Sequence, residues 1–188
     1  IHYDGPLLVL NNSFTASSSE IFSGALKDYN RGLIVGESTF GKGTVQNLID
    51  LERFFPNTNL QFGQLKITLA KYYRVNGGST QKIGVEPHIE FPNIYDRSIY
   101  TENARKNALE WDKIRDISFN DINYINEPLV DHLNTTFKND VKSDSSFINY
   151  LSFVEDTKEN RKKKSISLNY SKRLAEKKEN DKKSNSLN

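Results

Sequence analysis

The sequence predicts a mixed α/β fold that gives way to helices in its second half, and three observations carry that reading. Two short apolar runs bracket a helix-spaced segment within about 30 residues at the start, the signature of a strand-helix-strand unit in a helix-covered sheet. Residues 45 to 73 then turn to two-residue alternation, which is the period of strands. Beyond Pro92 the apolar residues recur every three or four positions, which is the period of helices.

Taken in order, Leu7-Leu8-Val9-Leu10 reads as a buried strand that ends at the turn-formers Asn11, Asn12 and Ser13. Ile21, Phe22, Ala25 and Leu26 fall on one face of a helix that should stop near Asn30. Gly32-Leu33-Ile34-Val35-Gly36 is the second buried strand. The clearest alternation is Leu65-Lys66-Ile67-Thr68-Leu69-Ala70-Lys71-Tyr72-Tyr73, and Asn76-Gly77-Gly78 marks the turn after it. Helices are expected over residues 103 to 111, 128 to 142 and 146 to 160. The last 30 or so residues hold about eleven basic residues against four acids and read as an exposed helix or a frayed tail. The expected division is 1–92 for the α/β part and 93–188 for a helical extension with a basic tail.

Composition narrows the function classes. With 36% hydrophobic and 27% charged residues the chain is globular, and a net charge of +2 argues for neither a nucleic-acid nor an acidic partner, so no nucleic acid is expected. The absence of cysteine removes disulfides, thiol nucleophiles and cysteine zinc sites. His2, His88 and His132 form no metal or triad motif, so neither a metal nor a cofactor is expected. No stretch approaches the roughly 18 apolar residues of a membrane-spanning helix, and residues 1 to 15 lack a signal-peptide pattern. A chain that opens on Ile1 and runs almost at once into a strand is expected to be the middle of a longer protein.

The chemistry concentrates in two loops. Ser17 lies where the first strand's loop turns into the helix, within Phe14-Thr15-Ala16-Ser17-Ser18-Ser19-Glu20. A hydroxyl there is exposed, and the first free N–H groups of the helix, notably that of Ser18, could hold an oxyanion. The same string is also a helix-capping signature, so Ser17 or Ser18 could equally be an N-cap. Gly41-Lys42-Gly43-Thr44 follows the second strand. Flanking glycines allow close approach to a site, and a lysine there could serve as the base that a serine nucleophile needs, or be an ordinary turn lysine. A phosphate-binding loop is disfavoured, because the loop leads into a strand and not a helix. Gln46, four residues past Lys42, would share its face on an extended strand and could orient the amine. Asp28 lies three helical turns past Ser17, roughly 16 Å along the axis, and more naturally pairs with Arg31 or Lys27.

Together the segments Phe14 through Phe22 and Val35-Gly36-Glu37-Ser38-Thr39-Phe40-Gly41-Lys42-Gly43-Thr44-Val45-Gln46 resemble the carboxyl-terminal processing, or tail-specific, proteases. Tyr72-Tyr73-Arg74-Val75-Asn76-Gly77-Gly78-Ser79-Thr80-Gln81, Gly84-Val85-Glu86-Pro87-His88-Ile89 and the helical end are similar to the long, periplasmic branch. Thr15 and Ser18 depart from the usual serine and alanine, leaving the serine and the backbone donor in place. The resemblance implies a ClpP/crotonase-like core, Ser17 as nucleophile, Lys42 as general base, Gln46 assisting, Asp28 supporting and the Ser18 N–H as oxyanion donor. It further implies protein substrates with apolar C-termini, an adaptor protein, and a periplasmic enzyme that associates with the membrane through segments outside these residues. Family members carry a PDZ domain and a glycine-rich strand with a second oxyanion donor ahead of the nucleophile; neither is in residues 1 to 188, so these residues are expected to be poorly active alone. A catalytically silent scaffold is the alternative, and intact Ser17, Lys42 and Gln46 speak against it. Salt-sensitive binding of nucleic acid or membrane surface by the basic tail is a third, weaker reading.

Overall fold

In the computed structural model, which describes residues 2–56, 58 and 60–185 (backbone only for 183–185), the chain divides into two compact units. The first comprises residues 1–90 and 97–125, the second residues 91–96 and 126–188.

The first unit is built on the expected strand-helix-strand start. Strand β1 (Leu8–Asn11) leads through the serine loop into helix α1 (Ser18–Asp28), and the chain returns in strand β2 (Leu33–Gly36). β1 and β2 pair in parallel, with Leu8 opposite Leu33 and Asn11 opposite Gly36. Strand β5 (Ile89–Glu90) lies on the other side of β2, also parallel, so the order is β1-β2-β5. Burial follows from this order: Leu33, Ile34 and Val35 on the central strand, with Val85 and Ile89, form the apolar core.

A separate antiparallel ribbon joins strands β3 (Thr44–Asp50) and β4 (Gln64–Lys71), with a register irregularity between Val45 and Gln46. After β5 come a short helix α2 (Arg97–Tyr100) and a 3₁₀ turn at Glu102–Ala104.

Two further sequence expectations are corrected here, besides the burial expected of β1, an edge strand whose Leu8 and Leu10 are exposed. The helix expected over residues 103 to 111 is only that 3₁₀ turn, after which the chain runs irregularly. Tertiary bonds hold it extended: the Ser79 N–H donates to the Asp112 carbonyl at 3.2 Å, the Ile114 N–H to Gly77 at 2.9 Å, and the Trp111 indole to Ser79 at 2.8 Å. Gly77 makes this close approach feasible, because at φ +81° a Cβ would stand 2.2 Å from the Ile114 oxygen. The second correction concerns α1. Ile21 and Phe22, expected to face the core, are exposed, while Glu20, Ser23 and Gly24 are buried. A polar bond helps set that orientation: the Ser23 hydroxyl donates to Asn11 at 3.1 Å, and Gly24 packs beside Arg74 and Val85.

The second unit holds helices α3 (Glu127–Asp140), α4 (Ser145–Lys162) and α5 (Tyr170–Asn185). Caps explain where the first two begin. The Asn126 side chain accepts from the Leu129 N–H, with Pro128 in the first turn, and Asp144 accepts from the N–H groups of Ser146 and Phe147. Phe91 stacks on Phe137 at 5.1 Å, and Phe147 meets both rings edge-on. Within the basic tail residues 163–169 are irregular and α5 is exposed where its side chains are described, and residues 186–188 lie outside the described residues.

Candidate active site

Ser17 sits between the loop after β1 and the start of α1, with φ 59° and ψ −118°. This left-handed conformation costs a residue with a side chain about 1–3 kcal/mol, so surrounding bonds must hold it. The principal bond comes from Glu20, three residues on, whose carboxylate accepts the Ser17 N–H at 2.8 Å. That is half of the capping arrangement the Ser-x-x-Glu spacing suggested.

Glu20 does much more than cap. It is fully buried, and its Oε2, which takes the Ser17 N–H, also takes the Lys42 N–H at 2.9 Å. Its Oε1 takes the Gly41 N–H at 2.7 Å and the Thr39 hydroxyl at 2.5 Å. One carboxylate therefore joins the serine loop to the lysine loop, and the amide nitrogens of Ser17 and Lys42 can be no farther apart than the sum of their distances to a shared oxygen. A further bond runs between the same loops, from the Phe40 N–H to the Thr15 carbonyl at 2.8 Å.

The lysine loop owes its shape to glycine and to bonds from later in the chain. Gly41 has φ +91°, and a Cβ on it would stand 2.7 Å from the Lys82 carbonyl carbon. Its own carbonyl accepts the Lys82 N–H at 2.8 Å, and the Gly43 N–H donates to the Gln81 side chain at 2.9 Å. Lys42 and Ser17 are both half-buried. The Ser18 N–H, first of the helix, finds no protein acceptor among the described residues, which suits it to an incoming oxygen.

The remaining candidates lie apart. Gln46 is exposed, and its amide faces the Thr68 hydroxyl at 3.5 Å. β3 starts only at Thr44 and its pairing is irregular at Val45/Gln46, so the strand alternation does not run from Lys42 to Gln46. Asp28, at the far end of α1, pairs with Arg74 and not with Arg31 or Lys27. The Arg74 Nε and Nη2 reach its two oxygens at 2.8 and 2.5 Å, and Asn76 adds a bond at 3.0 Å. The pair is largely buried and two-pronged, so it fixes α1 against the segment around residues 72 to 78. Lys27 and Arg31 instead donate to backbone carbonyls, Lys27 to Glu86 and Arg31 to Tyr3 and Gly5. Among the described residues no group of histidine and acidic side chains could hold a metal ion.

Comparison with known proteins gives this geometry its context. Residues 1–91 match the model for peptidase family S41, and residues 95–188 match the C-terminal domain of tail specific protease. The chain belongs to the tail-specific proteases of family S41. It is 41% identical over 168 residues to the tail-specific protease of Haemophilus influenzae, an alignment covering 88% of this chain and 24% of that protein. It is 45% identical over 85 residues to the chloroplastic C-terminal processing peptidase of Tetradesmus obliquus, covering 45% of this chain and 17% of that one. Among solved structures, the photosystem II D1 C-terminal processing protease is similar at 44% identity, with a TM-score of 0.38 over 46% of this chain and 20% of that chain. The chain thus spans about a quarter, or less, of the length of these relatives.

Sequence reasoning gave Glu20 only a capping role and His88 none of its own. The Ile34 N–H donates to His88 Nδ1 at 2.9 Å, and the His88 N–H donates to the Ile34 carbonyl at 2.7 Å. Burial, assisted by the Lys27 ammonium, lowers the imidazole pKa from 6.5 to about 4. Between these values the unfolded chain takes up a proton that the folded chain refuses. The stabilisation is therefore complete above pH 6.5 and is lost as the pH falls toward 4. Urea unfolding midpoints measured from pH 7.5 to 4 should fall across this window in the parent. They should fall less steeply in His88→Asn, which keeps an acceptor and does not titrate; identical slopes would exclude the histidine as the cause.

Proposed function

We propose that this chain carries the catalytic serine and base of a serine endopeptidase that acts on proteins through their C-termini. The shared Glu20 oxygen carries the reading: it ties the backbone of a strained, half-buried serine to that of a lysine on a glycine-flanked loop. In the proposed reaction the Lys42 amine takes the Ser17 hydroxyl proton as Oγ attacks a peptide carbonyl carbon. The Ser18 N–H donates to the oxyanion, Lys42 returns the proton to the leaving amine, and water cleaves the acyl-enzyme by the same route in reverse. Asp28 acts at a distance, by holding α1 through Arg74, and Gln46 belongs to the strand that leaves the lysine loop.

The activity is that of the longer polypeptide, in which residues 1–92 complete the protease core and residues 93–188 form the extension. We assign it to the periplasm, with an adaptor and a membrane association supplied by other segments. Apolar C-termini are the proposed recognition feature. The test is cleavage by the full-length protein of one unfolded reporter with either an apolar or a charged C-terminal tail. The apolar tail should raise kcat/KM about tenfold or more, as expected when a few apolar side chains enter a pocket. Equal cleavage of both reporters would reject tail recognition and leave the peptidase reading standing.

A further inference from the structure

The lysine loop is held from three directions, two of them from within the stretch matched by peptidase family S41. Glu20 reaches it from the helix of the serine. Gln81, Lys82 and Val85 reach it from the segment before β5, through the bonds to Gly43 and Gly41 and through the Thr39 N–H, which donates to the Val85 carbonyl at 3.2 Å. The third grip comes from residues 97 to 105, within the stretch matched by the C-terminal domain of tail specific protease.

Arg97, the first residue of α2, spreads its guanidinium over three backbone carbonyls. Nη1 donates to Ser38 and, at 2.6 Å, to Thr39, while Nη2 donates to Ile83 at 2.9 Å. Five residues on, the Glu102 N–H donates to the Phe40 carbonyl at 3.1 Å. The buried Glu102 carboxylate accepts from the Gln81 amide at 3.3 Å, and that same amide group's oxygen takes the Gly43 N–H. Arg105 pairs with Glu102 and lies over the Phe40 ring at 5.6 Å. Thr101, itself buried, fastens α2 to this turn by donating to the Arg97 carbonyl at 2.6 Å.

The carbonyls of Ser38, Thr39 and Phe40 are thus consecutive acceptors for residues 97 and 102, and Lys42 follows two positions later. A loop with glycine at positions 41 and 43 has little stiffness of its own, so external bonds define where its lysine stands. A rigid, forked cation suits several convergent carbonyls better than a lysine ammonium would. From this geometry we infer that Arg97, supported by Glu102, is a positioning residue for Lys42, so that the start of the C-terminal domain is part of the catalytic apparatus. This inference rests on the reading of Lys42 as the base for Ser17.

The test compares Arg97→Ala, Arg97→Lys and Glu102→Gln with the parent in the full-length protein. It measures kcat and KM on an unfolded reporter and the rate at which a fluorophosphonate labels Ser17. Displacing a reacting group by about 1 Å costs on the order of 100-fold, so Arg97→Ala should lower kcat and the labelling rate by about that factor with KM within threefold. Arg97→Lys, which keeps the charge but lacks the fork, should regain part of the loss. If Arg97→Ala does not fold, Arg97→Lys and Glu102→Gln carry the comparison, each with kcat reduced at an unchanged KM. Activity within threefold of the parent in all variants would overturn the inference. So would losses that follow only the folded fraction, with labelling per folded molecule unchanged. Arg173→Ala, on exposed α5, serves as the control and should match the parent. Should Ser17→Ala or Lys42→Ala leave cleavage and labelling intact, the Ser/Lys reading itself fails, and that result is separate from the outcome at Arg97.

Discussion

Replacing Ser17 by alanine in the full-length protein is expected to lower kcat/KM by about 10⁴-fold or more, and Lys42→Ala by a similar factor. The double variant should be no worse than either single one, because a nucleophile without its base and a base without its nucleophile fail at the same step. Lys42→Arg should be equally inactive, since a guanidinium keeps its proton and cannot accept one. Stability should move in another direction. Ser17 is held at φ 59°, so Ser17→Gly removes the conformational penalty and should raise the unfolding free energy by up to about 1 kcal/mol while abolishing cleavage. Steady-state kinetics with thermal melting of the same samples reads both effects. More than a tenth of parental activity in Ser17→Ala would reject the serine as nucleophile.

The parts of this arrangement that could be read from the sequence are those written in short spans. The β1-α1-β2 unit was legible because two apolar runs and a capping signature define it locally. The helices α3 and α4 were legible from apolar residues three and four positions apart, and the caps at Asn126 and Asp144 fix where they begin. What escaped is nonlocal. Ile21 and Phe22 promise a buried face, yet the helix turns Glu20, Ser23 and Gly24 inward, because their partners Thr39, Asn11 and Arg74 lie well away in sequence. Residues 103 to 111 have helical spacing, but bonds from residues 77 to 79 to residues 111 to 114 hold the chain extended. Asp28 was matched with its sequence neighbours Lys27 and Arg31, whereas its partner Arg74 sits 46 residues away. Arg97 carried no signal at all, since a single arginine acting on backbone carbonyls leaves no pattern in side-chain types.

Glu20 is where local and nonlocal information coincide, and its substitution should have the second-largest effect. Were it only a helix cap, Glu20→Gln would cost at most about 1 kcal/mol of stability, the loss of a charge near the start of the helix, and leave kcat nearly unchanged, because glutamine serves at that capping position too. The carboxylate instead receives three backbone N–H groups and a hydroxyl on two oxygens. A glutamine side chain has one oxygen, so its NH₂ must face donors. If it replaces Oε2, it confronts the N–H groups of both Ser17 and Lys42. If it replaces Oε1, the Thr39 hydroxyl can reverse, but the Gly41 N–H is left without an acceptor. Each buried donor so stranded costs about 1–3 kcal/mol, and the loop relieves that cost by moving. Moving it separates Lys42 from Ser17, so Glu20→Gln should lower kcat about 100-fold and destabilise the protein by about 2 kcal/mol. Glu20→Asp keeps the charge near the start of α1 but falls short of the lysine loop, and should lose kcat with a smaller loss of stability. Urea unfolding and single-turnover cleavage on both variants decide the matter. A stability loss near 1 kcal/mol with kcat within threefold of the parent would reduce Glu20 to a cap and leave the proximity of serine and lysine to be maintained by the other bonds of the loop.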